Sequence, residues 1–194
     1  MVTAAEFTGF IAPAVVGAVT ANQQAGTAVP ALLAAGAVEG SMLGWGQATV
    51  LRRVLPDLSR PRWIAATAGG AVLAYLAGSA PSTAHDARLS PVPFILVVAV
   101  AGVVLLLSLG GSQWFVLRHL VPRAGRWVAA TAGAWMLGLV VFLGFTMPLW
   151  HAGQPLALIV LIGAAGGLLM AAVTSAVTGS ALRWIVPTPR TVET

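Results

Sequence analysis

The sequence predicts an all-α integral membrane protein: six transmembrane helices arranged as three tandem two-helix repeats with pseudo-threefold symmetry. Three observations predict it. The 194 residues are 58% apolar and 8% charged, with a mean hydropathy of +0.92. The apolar residues fall into six runs, each near the length that crosses a bilayer. The basic turns between those runs repeat at a near-constant interval.

A soluble domain carries about 25% charged residues. A chain so poor in charge cannot clothe its surface for water, and it is too apolar to be disordered. A soluble enzyme or binding module is therefore excluded. The formal charge is +5 and every basic residue is arginine, so lysine Schiff-base chemistry is excluded as well. The absence of cysteine removes disulfides, thiolate metal ligands and thiol catalysis.

The six runs are roughly 4–22, 28–51, 63–80, 92–117, 127–149 and 156–182. A hydrocarbon core of about 30 Å needs about 20 helical residues. The third run is short by that measure, and the sixth is long enough to project beyond the membrane. Barrel strands alternate and are about half as long, so continuous apolar runs favour helices. The first run carries Glu6 where a signal peptide carries positive charge, which predicts a retained helix.

Arginine placement predicts orientation. Arg52, Arg53, Arg60 and Arg62 separate runs two and three, Arg118, Arg123 and Arg126 separate runs four and five, and Arg183 and Arg190 follow run six. Only Arg88 falls at the opposite end. The positive-inside rule then puts both termini and both basic turns in the cytoplasm. Trp63, Trp114, Trp127 and Trp184 are expected as anchors at the inner boundary, with Trp150 at the outer one.

The repeat is read from the basic turns. QATVLRRVLP at 47–56, QWFVLRHLVP at 113–122 and TGSALRWIVP at 178–187 share the frame L-R-x-x-x-P, with a polar residue five positions before the arginine. RWIAATAG at 62–69 and RWVAATAG at 126–133 agree at seven of eight positions. Arg52, Arg118 and Arg183 are 66 and 65 residues apart, as are Gly36, Gly102 and Gly167. A softer match, IAPAVVGAV at 11–19 with IAATAGGAV at 64–72, brings in the first run. The result is one membrane domain, 1–194, with units at about 7–52, 63–118 and 127–183.

The second helix of each unit carries a stripe of small and polar residues. Gly36 and Gln47, Gly102 and Gln113, and Gly167 and Thr178 are each eleven positions apart, which is within about 20° around a helix. Gly40 and Gly44 thicken the first stripe, and Gly163 the third. Small residues let helices approach closely, in this chain or against partners. Gln47, Gln113 and Thr178 are expected to form a ring that bridges helices, and Arg52, Arg118 and Arg183 to fix the cytoplasmic boundary.

The chain resembles a group of bacterial multi-spanning membrane proteins of unassigned role, whose helices end in G-x-x-Q-W-x-x-L-R followed by a basic turn and R-W. Gly110, Gln113, Trp114, Leu117, Arg118 and Trp127 carry the likeness. Gly44, Gln47, Leu51, Arg52 and Trp63 carry it in the first unit, where Ala48 stands in place of the tryptophan. Leu182 and Arg183 alone carry it in the third. Three two-helix repeats also look like the mitochondrial carrier plan, but Pro56-Asp57-Leu58 and Pro122-Arg123-Ala124 do not fit that family's P-x-[D/E]-x-x-[K/R].

Glu39 is the sharpest chemical candidate, an acid near the middle of the second run with no arginine at its depth. An ionised carboxylate there is costly, so it is expected as a neutral acid, either a proton-linked or ligand-binding group or a packing residue bonded to a carbonyl or to hydroxyls such as that of Ser41. Its repeat equivalents are Leu105 and Met170. His85, Asp86 and His151 are placed in outer loops and are too few to define a metal site. No catalytic motif or carboxylate pair is present, so the sequence predicts neither an enzyme nor a cofactor. The expected partners are the lipid bilayer and a membrane-protein partner or a second copy of the chain; nucleic acid is not expected. The leading expectation is a non-catalytic accessory component of a membrane assembly. The alternative is a small-solute or proton-linked transporter or channel using Glu39 and the pseudo-threefold axis.

Overall fold

The computed structural model describes residues 1–21 and 23–185; Pro187 of the third basic motif and Arg190 beyond it lie outside the described residues. The described chain forms six long helices: α1 Val2–Thr20, α2 Ala25–Leu51, α3 Arg60–Asp86, α4 Pro91–Leu117, α5 Gly125–Thr146 and α6 Leu156–Ile185. A 3₁₀ turn, Met147–Leu149, completes the fifth run. All six are long and apolar enough to cross a membrane, which marks an integral membrane protein.

Local sequence sets the helix boundaries. Pro61 and Pro91 occupy first-turn positions, where the missing N–H costs no intrahelical bond. The sharpest difference from the sequence expectation is α3. It runs 27 residues, about 40 Å, rather than stopping near 80. Pro81 sits inside it, and the surrounding hydroxyls hold the turn together. Ser79 donates to the Leu76 carbonyl at 2.8 Å, while Ser82 and Thr83 donate to the Ser79 carbonyl at 2.8 and 3.1 Å. These bonds flank the Ala77 carbonyl, the one whose helical donor Pro81 removes, without reaching it. His85 and Asp86 consequently lie on the last turn of α3, not in a loop. The chain reverses just beyond, where Arg88 takes a left-handed φ of 53°.

Each helix packs on its neighbours in sequence, and α6 packs back on α1, so the six helices close into a ring. The core is concentrated at the arginine-bearing end. There Ala48, Leu51 and Leu58 meet Trp63, Leu117, Val121, Ala124, Trp127 and Ile185. Trp63 and Trp127 are 0% and 2% exposed, their rings edge to face at 6.0 Å. They are core residues and not boundary anchors, because their indole N–H groups are spent inside the protein. Trp184 is 77% exposed. Arg52, Arg118 and Arg183 are all exposed at this end, Arg183 within the last turn of α6. Arg118 lies over Trp114 at 5.1 Å.

The glycines divide into two sets. A methyl group at Gly40 would sit 2.7 Å from Ala71 Cβ and 2.9 Å from the Thr67 carbonyl; at Gly44 it would meet Ile64 Cα at 3.0 Å. Gly36 lies directly against the Tyr75 ring and Gly167 against Phe10. These four permit close approach, as expected. Gly102 and Gly163 do not: a side chain there would meet nothing within 4 Å. Gly102 faces outward, and Gly163 borders a cavity.

The first helix departs from its sequence match. Aligning 11–19 with 64–72 would set Phe10 at the place of Trp63. Instead Phe10 covers Gly167 as Tyr75 covers Gly36. Phe10 thus takes the position of Tyr75, about three turns further along the helix.

Candidate functional site

The ring is solid at the arginine-bearing end and hollow toward the other. A cavity of about 550 Å³ receives residues from all six helices. Its deepest wall includes Leu43, Leu109 and Met170, and its mouth reaches Gln23, Ser82 and Asp86 at exposed ends of the helices. Phe10, Tyr75 and Phe142 divide it from a second cavity of about 610 Å³ between α1 and the start of α6. Glu39, Leu105 and Met170, the three positions that the sequence register equates, all line the first cavity.

Glu39 is 3% exposed. Its Oε2 accepts a hydrogen bond from the Tyr75 hydroxyl at 2.7 Å, while Oε1 is buried without a hydrogen-bond partner among the described residues. The proximity follows from Gly36, which leaves room for the Tyr75 ring one turn away on α2. Ser41 is not the partner: its hydroxyl donates to the Ala37 carbonyl of its own helix. Tyr75 is the chain's only tyrosine. Sequence reasoning missed it, although a single tyrosine in an alanine-rich span was a legible signal.

A second acid is buried as well. Glu6 is 2% exposed and accepts from Thr174 Oγ1 at 2.6 Å and Ser175 Oγ at 3.4 Å, tying α1 to α6. Glu39 is therefore not the only acid within the spans. The packing fixes its depth. Gly9 lies against the backbone of Glu39 and Ala5 against Gly46, so Glu6 is level with about residue 44 of α2. That is about 7 Å below Glu39 along the helix axis.

The third polar cluster closes the arginine-bearing half. Gln47 Oε1 accepts from Trp63 Nε1 at 3.2 Å and from Gln113 Nε2 at 2.8 Å. Gln113 Nε2 also donates to Thr67 Oγ1 at 2.9 Å, and its Oε1 accepts from Trp127 Nε1 at 2.7 Å. Four helices are joined by five side chains, and Gln113 is 0% exposed. Thr178 does not complete the expected ring. Its shorter side chain turns back to the Thr174 carbonyl at 2.7 Å. Thr131, which the sequence match of 126–133 with 62–69 aligns with Thr67, is left with a buried Oγ1 and no partner among the described residues.

Among the described residues there is no group of three or more His, Asp or Glu side chains able to hold a metal ion. Fold and site together define a class: a polytopic helical membrane protein whose helices enclose a cavity walled by aromatic residues and one buried acid. No family model, curated protein or solved structure matches the chain.

Proposed function

We propose that this protein is a small-solute transporter, with Glu39 as the coupling group of a central binding cavity. The single observation that carries this reading is that cavity, lined from all six helices and reaching one end of the ring while polar clusters close the other. A non-catalytic accessory subunit needs no such hollow. Transporter sites are commonly set near mid-membrane between repeats, with closure on one side at a time. The Gln47–Gln113–Trp127 cluster would be the closed gate of this state. Its links are hydrogen bonds between side chains of separate helices, and such links exchange as helices rock.

Three tandem repeats around a pseudo-threefold axis belong to the same proposal. The bonds Trp63–Gln47 and Trp127–Gln113 are the same contact made twice, and the shared lining by Glu39, Leu105 and Met170 supports a third copy. The arginines would hold both termini and the gate on the cytoplasmic side. One observation favours the accessory reading: Gly69, Gly102 and Gly144 are exposed on the outer helix faces with nothing of this chain against them, as a helix partner or a second copy would use.

The chain's lack of cysteine makes the test direct. Single cysteines at Ala74 in the cavity and Ala48 in the gated half are labelled with a membrane-impermeant thiol reagent in oriented vesicles. The transporter reading expects Ala74→Cys to react from the cavity-mouth side and, in a smaller fraction, from the opposite side; Ala48→Cys, in the half that must open, is expected to react from the arginine-bearing side alone. Labelling of Ala74→Cys from one side only would overturn alternating access.

A further inference from the structure

The chemistry of the cavity wall selects a ligand. Its lining holds two formally charged residues, Glu39 on the wall and Asp86 at the mouth, and no arginine. Both are acids. Arg88, the one arginine at that end among the described residues, borders a separate hollow with His85 and Leu89 beyond the mouth. Around the acid the walls are aromatic: Phe10, Tyr75, Trp135 and Phe142 come from α1, α3 and α5. Phe10 and Phe142 pack edge to face at 5.6 Å, which fixes their ring orientation. The remaining wall is mainly aliphatic, leucine and alanine with Val29 and Met170, and its uncharged polar side chains, Thr20, Gln23, Ser79 and Ser82, lie toward the mouth. A buried carboxylate oxygen is meanwhile left without a donor.

Each of these features disfavours an anion and suits a cation. Aromatic faces attract a positive charge and are strongest when water is excluded, indole most of all. A carboxylate with an open acceptor supplies the counter-charge that a desolvated cation needs. The apolar wall is matched only by a ligand that carries hydrocarbon. A small inorganic cation would lose its hydration shell with one oxygen pair to replace it, which is too few for a hard metal ion.

We infer that the cavity binds a hydrophobic organic cation of the alkyl- or arylammonium class, with Glu39 as its counter-ion and Trp135 and Phe142 as its aromatic walls. This rests on the cavity being a solute site, as proposed above, and adds what the solute is. Asp86 at the mouth draws the cation in.

The probe is benzyltrimethylammonium, titrated into detergent-purified protein by calorimetry. The controls are N,N-dimethylbenzamide, neutral and of similar size, and benzylsulfonate, its anionic counterpart. The cation is expected to bind at least tenfold more tightly than the amide, and the sulfonate not measurably. Glu39→Gln is expected to weaken the cation at least tenfold and leave the amide unchanged. Trp135→Leu, which keeps the wall apolar, is expected to weaken it about threefold to tenfold. Unchanged amide binding by Glu39→Gln shows that this variant is folded, so that loss of the cation alone reports the missing charge. Equal binding of cation and amide, binding of the sulfonate, or no binding of the cation to folded wild type overturns the assignment. The outcomes separate from those of the labelling test. Selective cation binding with one-sided labelling refutes transport and leaves the ligand class standing. Two-sided labelling without cation binding does the reverse.

Discussion

Two buried polar groups, the glutamine cluster at the arginine-bearing end and Glu39 beside the cavity, are partnered in opposite ways. At the arginine-bearing end Gln47, Gln113, Thr67, Trp63 and Trp127 are bonded to one another, and both Gln113 heteroatoms are occupied. Toward the other end Glu39 has one bonded oxygen and one without a partner, beside a cavity rather than a packed core. Saturated polar groups hold helices together; an unsaturated one in a hydrocarbon setting is costly and is retained where something else uses it. On the proposed reading, packing and solute binding are separated along the helix axes, the first near the arginines and the second at Glu39.

The strongest way to break this comparison is to unmake the saturated cluster. Gln113→Leu strands the Trp127 indole N–H and removes a donor from both Gln47 and Thr67. Interhelical bonds within membranes average about 0.6 kcal/mol, and a buried group left unpaired costs about 1–3 kcal/mol. The variant should lose roughly 2–4 kcal/mol of stability, read by SDS titration with tryptophan fluorescence. Wild-type stability would show that the cluster is not what closes this half.

Close approach is the next largest effect. Gly40→Ala would bring a methyl within 2.7–2.9 Å of Ala71, Ala68 and Thr67 on α3, two of these contacts being backbone. The helices must separate, at a cost of about 1–3 kcal/mol for overpacking. Gly102→Ala meets open space and should be neutral or slightly stabilising, since alanine favours helix. Thermal unfolding of the pair in detergent decides; equal midpoints would refute the division of the glycines. A smaller effect is expected at Glu6. Glu6→Gln keeps an acceptor for Thr174 and should cost under about 1 kcal/mol, whereas Glu6→Leu strands Ser175 and should cost roughly twice as much. A reversed order in the same unfolding assay would mean that apolar packing, not the hydrogen bond, holds α1 to α6.

These variants also mark how far the sequence could be read. The six spans were legible because bilayer thickness imposes a length and composition that nothing local can disguise. The extension of α3 past Pro81 was not, since proline ends helices in water but is tolerated within membrane-spanning ones. Gln47 and Gln113 were legible as a bridge from their shared stripe and spacing. The contribution of Trp63 and Trp127 was hidden, because boundary tryptophans and buried ones occur at the same sequence positions relative to a span. Glu6 was hidden by its nearness to the N-terminus. Its burial depends on α6 closing back on α1, a contact 168 residues away in sequence. The glycine offsets were readable, yet spacing alone does not say which face of a helix meets another helix, and Gly102 turned outward.

The smallest expected effect is the one that most sharpens the comparison, because it adds a bond instead of removing one. Thr131 is buried with no partner for its hydroxyl, while Thr67, its counterpart, receives Gln113 Nε2. The difference lies on the neighbouring helix: α4 offers glutamine at 113, and α6 offers threonine at 178, too short to cross and bonded instead to its own backbone. If the three hairpins share one geometry, Thr178→Gln would reach Thr131 as Gln113 reaches Thr67. One interhelical bond in a membrane is worth about 0.6 kcal/mol, and the orphaned hydroxyl adds to the gain. The variant should be stabilised by about 0.5–1 kcal/mol, and that gain should vanish in Thr178→Gln combined with Thr131→Val. A loss of stability, or a gain that survives removal of the Thr131 hydroxyl, would mean that α6 does not stand to α5 as α4 stands to α3. The threefold relation would then end at the second hairpin, and the cavity would be enclosed by two related hairpins and one that is not.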